Sequence, residues 1–449
     1  MPRLQEGRRP ARGVGLLAVT LATVLGATAL RAQQAPSVIF FHPDGMGVNT
    51  WGAVRIGTVG PDRRLHWDRL PFVAVYTGHM RDALASTSHG GATVHAYGVK
   101  VLADSYGMDG DRPLTARSGK AMSLLREAQA AGRAVGVVNS GTITEPGTGV
   151  FLASVPRRSD HAEIARQIIE AQPEVILGGG ERYFLPLGVA GRHGEGTRGD
   201  GLDLVARARE LGYAVVYTRD ELLALPPDTR RVLGLFAANH TFNDRPEETL
   251  RTLGLPPYAP GAPSVSEMSR VALAILARHP RGFMLVVEEE GTDNFANSNN
   301  ASGLLEAGRR ADEAVGTMIA FVQAHPRTLM IMTSDSDAGG LQLLGSTSIG
   351  GIRADTPLPA RDPNGAPLDG VEGTGTVPFV APPDTAGRRW PFAIAWASGG
   401  DASGGILVRA IGRGADRVRG TMDNTDIYRV MYLALFGRDP DPNRRRGAR

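Results

Sequence analysis

This sequence predicts an α/β fold: a three-layer sandwich with a mainly parallel central sheet and helices on both faces. Two observations carry the prediction. Short apolar runs rich in β-branched and aromatic residues alternate with amphipathic segments of helical period, the pattern of successive βαβ units. Three of the apolar runs also end in acidic residues, as strands do when their carboxyl ends border a ligand crevice. The chain has 449 residues, 42% hydrophobic and 21% charged, an ordinary globular composition that supports a sizeable core.

Taken in order, SVIFF (37–41) reads as a first buried strand. Residues 118–131 have helical spacing, and AVGVVN (134–139) follows as a strand. EIARQIIEA (163–171) reads as a helix and EVILGGG (174–180) as a strand meeting a glycine turn. Residues 203–211 are helical, and YAVVY (213–217) is a strand. VSEMSRVALAILARH (265–279) is a helix leading into the strand FMLVV (283–287). Residues 304–325 repeat apolar positions at helical spacing before the strand TLMIM (328–332). Residues 353–390 are rich in Gly and Pro and lack periodicity, so they read as a surface excursion, a lid or an oligomer contact. With no internal repeat, one domain over 33–449 is expected, with that excursion inserted near its C-terminal end.

Composition excludes several functions. Net charge is +3 and the basic residues are dispersed, which argues against a dedicated nucleic-acid binder. Cysteine is absent, so there are no disulfides, thiolate metal sites or thiol nucleophiles. At the N-terminus, Arg3, Arg8, Arg9 and Arg12 precede the apolar run 13–30, and small residues follow to Ala32. This is the pattern of a signal peptide over 1–32, implying a periplasmic or secreted protein. A single N-terminal membrane anchor is the alternative, but the run is short and weakly hydrophobic. No other stretch is long and apolar enough to span a membrane.

The strand-end acids are Asp44 in HPDGMG, Glu288 and Asp293 in VVEEEGTDN, and Asp335 and Asp337 in TSDSDAGG. A single Asp at a strand end is usually a turn or cap residue. Several converging on one crevice would repel, at a cost of several kcal/mol (order of magnitude) unless cations offset it. The run LASTSHGGATVHAYGVKV (84–101) brings Ser86, Thr87 and Ser88 to a helical segment, which is ordinary capping or an anion site. GTITEPGTGVFLASVPRR (141–158) adds Glu145, Thr148 and the pair Arg157 and Arg158, and an arginine fork suits phosphate.

Together and in this order, HPDGMG, STSHGGATVHAYGVK, EPGTGVFLASVPRR, EVILGGG, VVEEEGTDN and MTSDSDAGGL resemble the alkaline phosphatase family from about Val38 to Leu435. The resemblance implies that Ser88 is the nucleophile and that Arg158 holds the phosphate. It implies that Asp44 bridges two metal sites and that Glu288 serves an outer, magnesium-type site with Glu145 and Thr148 nearby. Asp293 and Asp335 would each ligate an inner metal. Where the family places three zinc-binding histidines, this chain has Asn297, Ser336 and Asp401, and Thr87 replaces the acid beside the nucleophile. Two readings follow: a site rebuilt from oxygen ligands, Asp337 included, or an inactive relative. The retained acids favour the first, with two or three divalent ions per chain and Mg²⁺ or Ca²⁺ favoured over Zn²⁺.

Among the histidines, His89 follows Ser88 and is a candidate to touch metal, substrate or leaving group. His42, His95 and His240 read as structural hydrogen bonders. The expected activity is hydrolysis of small phosphate monoesters through a phosphoserine. The alternatives are a phosphodiesterase or sulfatase on the same scaffold, or a non-catalytic oxyanion- or metal-binding relative. A homodimer is compatible with the resemblance, though no interface is legible.

Overall fold

The computed structural model describes residues 35–345, 358–362, 364–371 and 376–441; the expected signal segment lies outside them. Ten strands form one sheet. They are β1 (Ser37–Pro43), β2 (Phe72–Thr77), β3 (Ala134–Thr142), β4 (Val175–Gly179), β5 (Ala214–Val216), β6 (Val232–Leu235), β7 (Phe283–Glu289), β8 (Thr328–Met332), β9 (Leu407–Gly412) and β10 (Gly420–Asp423). Their order is β10-β2-β9-β8-β1-β7-β3-β4-β6-β5. From β8 to β5 every pairing is parallel, as expected, while β9 runs antiparallel to both β8 and β2. Strands β2, β9 and β10, at one end of the sheet, were not legible because they are short and partly exposed: Val73 and Val75 face solvent.

The principal helices are α1 (Val48–Val59), α2 (Ser88–Tyr97), α3 (Leu124–Ala130), α4 (His161–Ala171), α5 (Leu204–Glu210), α6 (Val265–Leu276), α7 (Gly291–Asn297), α8 (Ala301–Ala324) and α9 (Asn424–Phe436). They cover both faces of the sheet. Alternation along β1 sends Val38 and Phe40 to one layer with α2, α3, α4 and α9, and Ile39 and Phe41 to the other with α1, α6 and α8. Truncating a fully buried ring such as Phe40 to Ala would cost about 3–5 kcal/mol.

Caps correct the helix limits read from periodicity. α3 starts six residues later than expected, because Gly119 turns the chain at φ +84° and the Ser123 side chain then accepts from Arg126 N. α8 starts three residues earlier than expected, because Asn300 caps it by accepting from Gly303 N at 2.7 Å. The Gly/Pro-rich excursion leaves a strand at Gln342–Gly345 and returns as Pro391–Ala395, which pairs antiparallel with it. Within its described part, Leu368 and Val371 bury against Ala393 and Ala395. The carboxyl ends of β1, β3, β7 and β8 lie side by side, and they position the site.

Candidate active site

The register of three strands builds the floor of the site. His42 on β1 pairs across to Glu288 on β7, and Glu288 pairs to Asn139 on β3. Residues two apart on a strand share a face, so Asp44 joins His42 and Glu290 joins Glu288. Single ligand atoms from His42, Asp44 and Glu288 lie within 4.8 Å of one another, as do those from Asp44, Glu290 and Asp293. Glu289 points the other way, where Oε1 accepts from Ser140 Oγ at 2.6 Å and Tyr258 Oη at 2.8 Å. Gly45 makes the approach possible: at φ +67° it has no Cβ, which would otherwise sit 2.8 Å from Asp293 Oδ1.

Most of the expected residues join this cluster. Asp401 enters on a short strand, with Ala338 opposite it. Asn297 Nδ2 donates to both Asp293 oxygens at 3.1 Å and to Asp401 Oδ1 at 3.2 Å, so its amide ties two carboxylates together. Thr148 Oγ1 accepts from Asn139 Nδ2 at 2.9 Å and lies 3.3 Å from Glu288 Oε2. Asp335 lies against α2: a Cβ on Gly91, one turn beyond Ser88, would sit 2.5 Å from Asp335 Cβ. Glu145 turns instead to Arg158, whose Nη2 donates to its Oε2 at 2.8 Å. Asp337 sits between Gly47 and Gly404, and burial raises its carboxyl to about 6.

Ser88 is the first residue of α2, 5% exposed, with the free amides of the helix start around it. Thr87 is the N-cap: its hydroxyl accepts from Gly90 N at 3.2 Å and donates to Ala103 O. That hydroxyl is therefore committed to holding the turn. Arg157 is exposed and pairs with Asp160. His89 Nδ1 is buried without a partner, and burial together with Arg158 lowers the ring to about 4, so it is neutral. His95 is structural as expected, its Nε2 lying 2.9 Å from Tyr76 Oη. His240 Nδ1 accepts from Thr142 N at 3.3 Å.

Electrostatics separates the acids. Burial and neighbouring carboxylates hold Asp44, Glu290, Asp293 and Asp401 above their ordinary range. Burial would raise Asp335 too, but its contacts with Asp44 and His42 outweigh that and hold it low. Arg158 faces Glu145, Glu290, Asp293 and Asp44, which keep it charged against burial.

The donor set fits a divalent-cation centre. Buried atoms with no hydrogen-bond partner converge here: both His42 nitrogens, Asp44 Oδ2, Glu288 Oε1, Glu290 Oε2, Asn297 Oδ1, Asp335 Oδ2 and Ser336 Oγ. Each such atom in a dry interior costs about 1–3 kcal/mol unless something satisfies it. An oxygen-rich set with one imidazole suits hard or borderline cations. A cavity of 450 Å³ borders Asp335, lined also by Tyr76, Gly78, Ser86 and Gly404. A larger one of 1110 Å³ lies between α6 and α8 and includes none of these acids.

Sequence reasoning passed over Glu290 and Asn139 as site residues, and it read His42 as a satisfied hydrogen bonder. The signal that could have found Glu290 and His42 is the two-residue period from Glu288 and Asp44. Asn139 needed the strand register.

A family model described as alkaline phosphatase matches residues 35–367. The tissue-nonspecific isozyme alkaline phosphatase of Gallus gallus is 33% identical over 360 residues, covering 70% of this chain and 66% of that protein. The chain thus spans just under two-thirds of the length of that relative. Streptomycin-6-phosphate phosphatase of Streptomyces griseus is 29% identical over 491 residues, covering 96% and 99%. Among solved structures, the alkaline phosphatase of Thermus thermophilus superposes with a TM-score of 0.70 at 26% identity, covering 94% of this chain and 96% of its own.

Proposed function

This chain belongs to the alkaline phosphatase family, and from that premise we propose that it hydrolyses small phosphate monoesters through a phosphorylated Ser88. The observation that carries the reading is convergence: acids from β1, β7, β8 and the Asp401 strand gather beside the start of the helix that opens with Ser88, with Arg158 facing them.

Asp44, Glu290, Asp293, Asp335 and Asp401 would hold two divalent ions, with Glu288 and Thr148 beside them. Bound there, such ions neutralise phosphoryl oxygens, favour the Ser88 alkoxide and stabilise the leaving oxygen. The oxygen-rich set favours Mg²⁺, Ca²⁺ or Mn²⁺ over Zn²⁺.

The chain's own residues supply the rest. Arg158 offers paired N–H groups to the phosphoryl oxygens, and Glu145 fixes the guanidinium in place. The α2 amides and dipole add positive potential where negative charge gathers. Ser88 Oγ attacks phosphorus, the ester P–O bond breaks and the alcohol departs with a proton. Water then attacks the phosphoserine, releases phosphate and restores Ser88. His89 follows Ser88 on α2 and is neutral there. The arginine-then-apolar pattern of 1–32 supports release of the phosphate outside the cytoplasm; no helix among the described residues is long and apolar enough to cross a membrane.

The test is p-nitrophenyl phosphate hydrolysis by chelator-stripped protein given Zn²⁺, Mg²⁺, Ca²⁺ or Mn²⁺ separately, with acid-quench trapping of ³²P. Label on Ser88 and rescue by a hard cation are expected. Folded protein that is silent with every cation would overturn the reading.

A further inference from the structure

We propose that His42 is a metal ligand, its Nε2 joining Asp44 and Asp335 on one divalent cation while Nδ1–H points to Glu288. The imidazole thereby supplies from β1 a nitrogen donor that Asn297, Ser336 and Asp401 do not. This rests on the reading above only in that a cation binds at these acids.

The ring nitrogens face carboxylates, those of Asp44, Asp335 and Glu288. Both nitrogens are fully buried and lack a hydrogen-bond partner. Nε2 lies 3.3 Å from Asp335 Oδ1 and 3.7 Å from Asp44 Oδ1; Nδ1 lies 3.6 Å from Glu288 Oε1. These separations exceed the ordinary N–H···O distance of about 2.7–3.2 Å. At Nε2, the 3.3 Å to Asp335 is the spacing of two ligand atoms on one cation with bonds of about 2.0–2.2 Å, and the 3.7 Å to Asp44 is slightly wider. His95, whose ring centroid is 5.7 Å away, shows the contrast, since it makes a normal 2.9 Å contact to Tyr76 Oη.

The surroundings hold the ring in this pose. Phe40 stacks at 6.0 Å with an interplanar angle of 13°. Gly147 leaves the space on the Nδ1 side: a Cβ there would sit 2.4 Å from Nδ1 and 1.9 Å from Glu288 Oε1. Glu288 Oε2 already accepts from Asn139 Nδ2, so its Oε1 is left facing the imidazole. A metal-bound histidine commonly directs its second N–H to a carboxylate, which fixes the tautomer and ring plane. Glu288 Oε1, 3.6 Å from Nδ1, is the carboxylate placed for that role. An imidazole donor also moves preference away from Ca²⁺ toward borderline cations, Zn²⁺ included.

The experiment is pulsed EPR on full-length protein loaded with Mn²⁺, reading ¹⁴N coupling from a coordinated imidazole, with Mn²⁺ affinity measured alongside. Wild type should show the coupling. His42→Gln should lose it and bind Mn²⁺ at least tenfold more weakly; His89→Gln should keep it. Absent coupling in Mn²⁺-loaded wild type overturns the proposal, as does coupling that survives in His42→Gln. Should His42→Gln fail to fold, wild type and His89→Gln still decide: coupling in both supports His42, and loss in His89→Gln overturns it. A doubly protonated His42 in ¹⁵N NMR of the Mg²⁺-loaded protein would also overturn it. Absent coupling in an enzyme that hydrolyses p-nitrophenyl phosphate with Mn²⁺ sinks only the His42 assignment. Coupling without hydrolysis under any cation sinks only the phosphatase reading.

Discussion

Arg158 Nη2 donates to Glu145 Oε2 at 2.8 Å, joining the rim arginine to the residue that precedes the single helical turn Pro146–Gly149. Glu145 thereby holds one edge of the guanidinium. Arg158→Ala should raise KM about tenfold or more and relieve product inhibition by phosphate, since charge-assisted hydrogen bonds contribute about 1.5–3 kcal/mol. Glu145→Gln should shift KM in the same direction by less. Steady-state kinetics with added phosphate checks both, and unchanged phosphate inhibition in Arg158→Ala would remove it from phosphate binding.

Two adjacent hydroxyls should separate into two roles. Ser88→Ala should lower kcat by roughly 10³-fold or more with an unchanged melting temperature. Thr87→Ala removes the cap that receives Gly90 N, so it should destabilise the fold by about 0.5–2 kcal/mol and still form the ³²P-enzyme. Thermal melts and label trapping on both variants make the comparison. Phosphorylation of Ser88→Ala would move the nucleophile to Thr87.

The close packing of α2 on the acid cluster is testable at Gly91. A methyl there would meet Asp335 Cβ and Ser86 Oγ, both at 2.5 Å. Asp335 is fully buried and cannot retreat. Gly91→Ala should therefore move the helix start, cost about 1–3 kcal/mol in stability and reduce kcat. Wild-type kcat in Gly91→Ala would show that the Ser88–Asp335 spacing is not critical.

Asp369 gives a pH signature away from the acid cluster. Burial raises its carboxyl from 3.8 to about 7, although Trp396 Nε1 donates to it at 2.6 Å; Glu247 and Glu248 add to the rise. The folded state then holds a proton that the unfolded chain has released. Its contribution to stability is full below about pH 4 and is lost as the pH rises toward about 7. Asp369→Asn should flatten the fall in stability across that window, measured by urea denaturation at several pH values. An identical slope in both proteins would contradict the shifted carboxyl.

Much of this protein was already determined by local sequence. The apolar runs at 37–41, 134–139, 283–287 and 328–332 suit strands buried on both faces, because each is short, continuous and rich in β-branched, aromatic or other large apolar residues. The acids that follow three of them are Asp44, Glu288, Asp293 and Asp335. Tertiary structure decided the rest through register and direction. That His42 faces Glu288, and Glu288 faces Asn139, depends on how β1, β7 and β3 slide past one another, which no single strand encodes. That Glu145 pairs with Arg158 depends on where two loops meet after folding. Sequence names the donors at each strand end; the assembled sheet chooses which of them share one point in space.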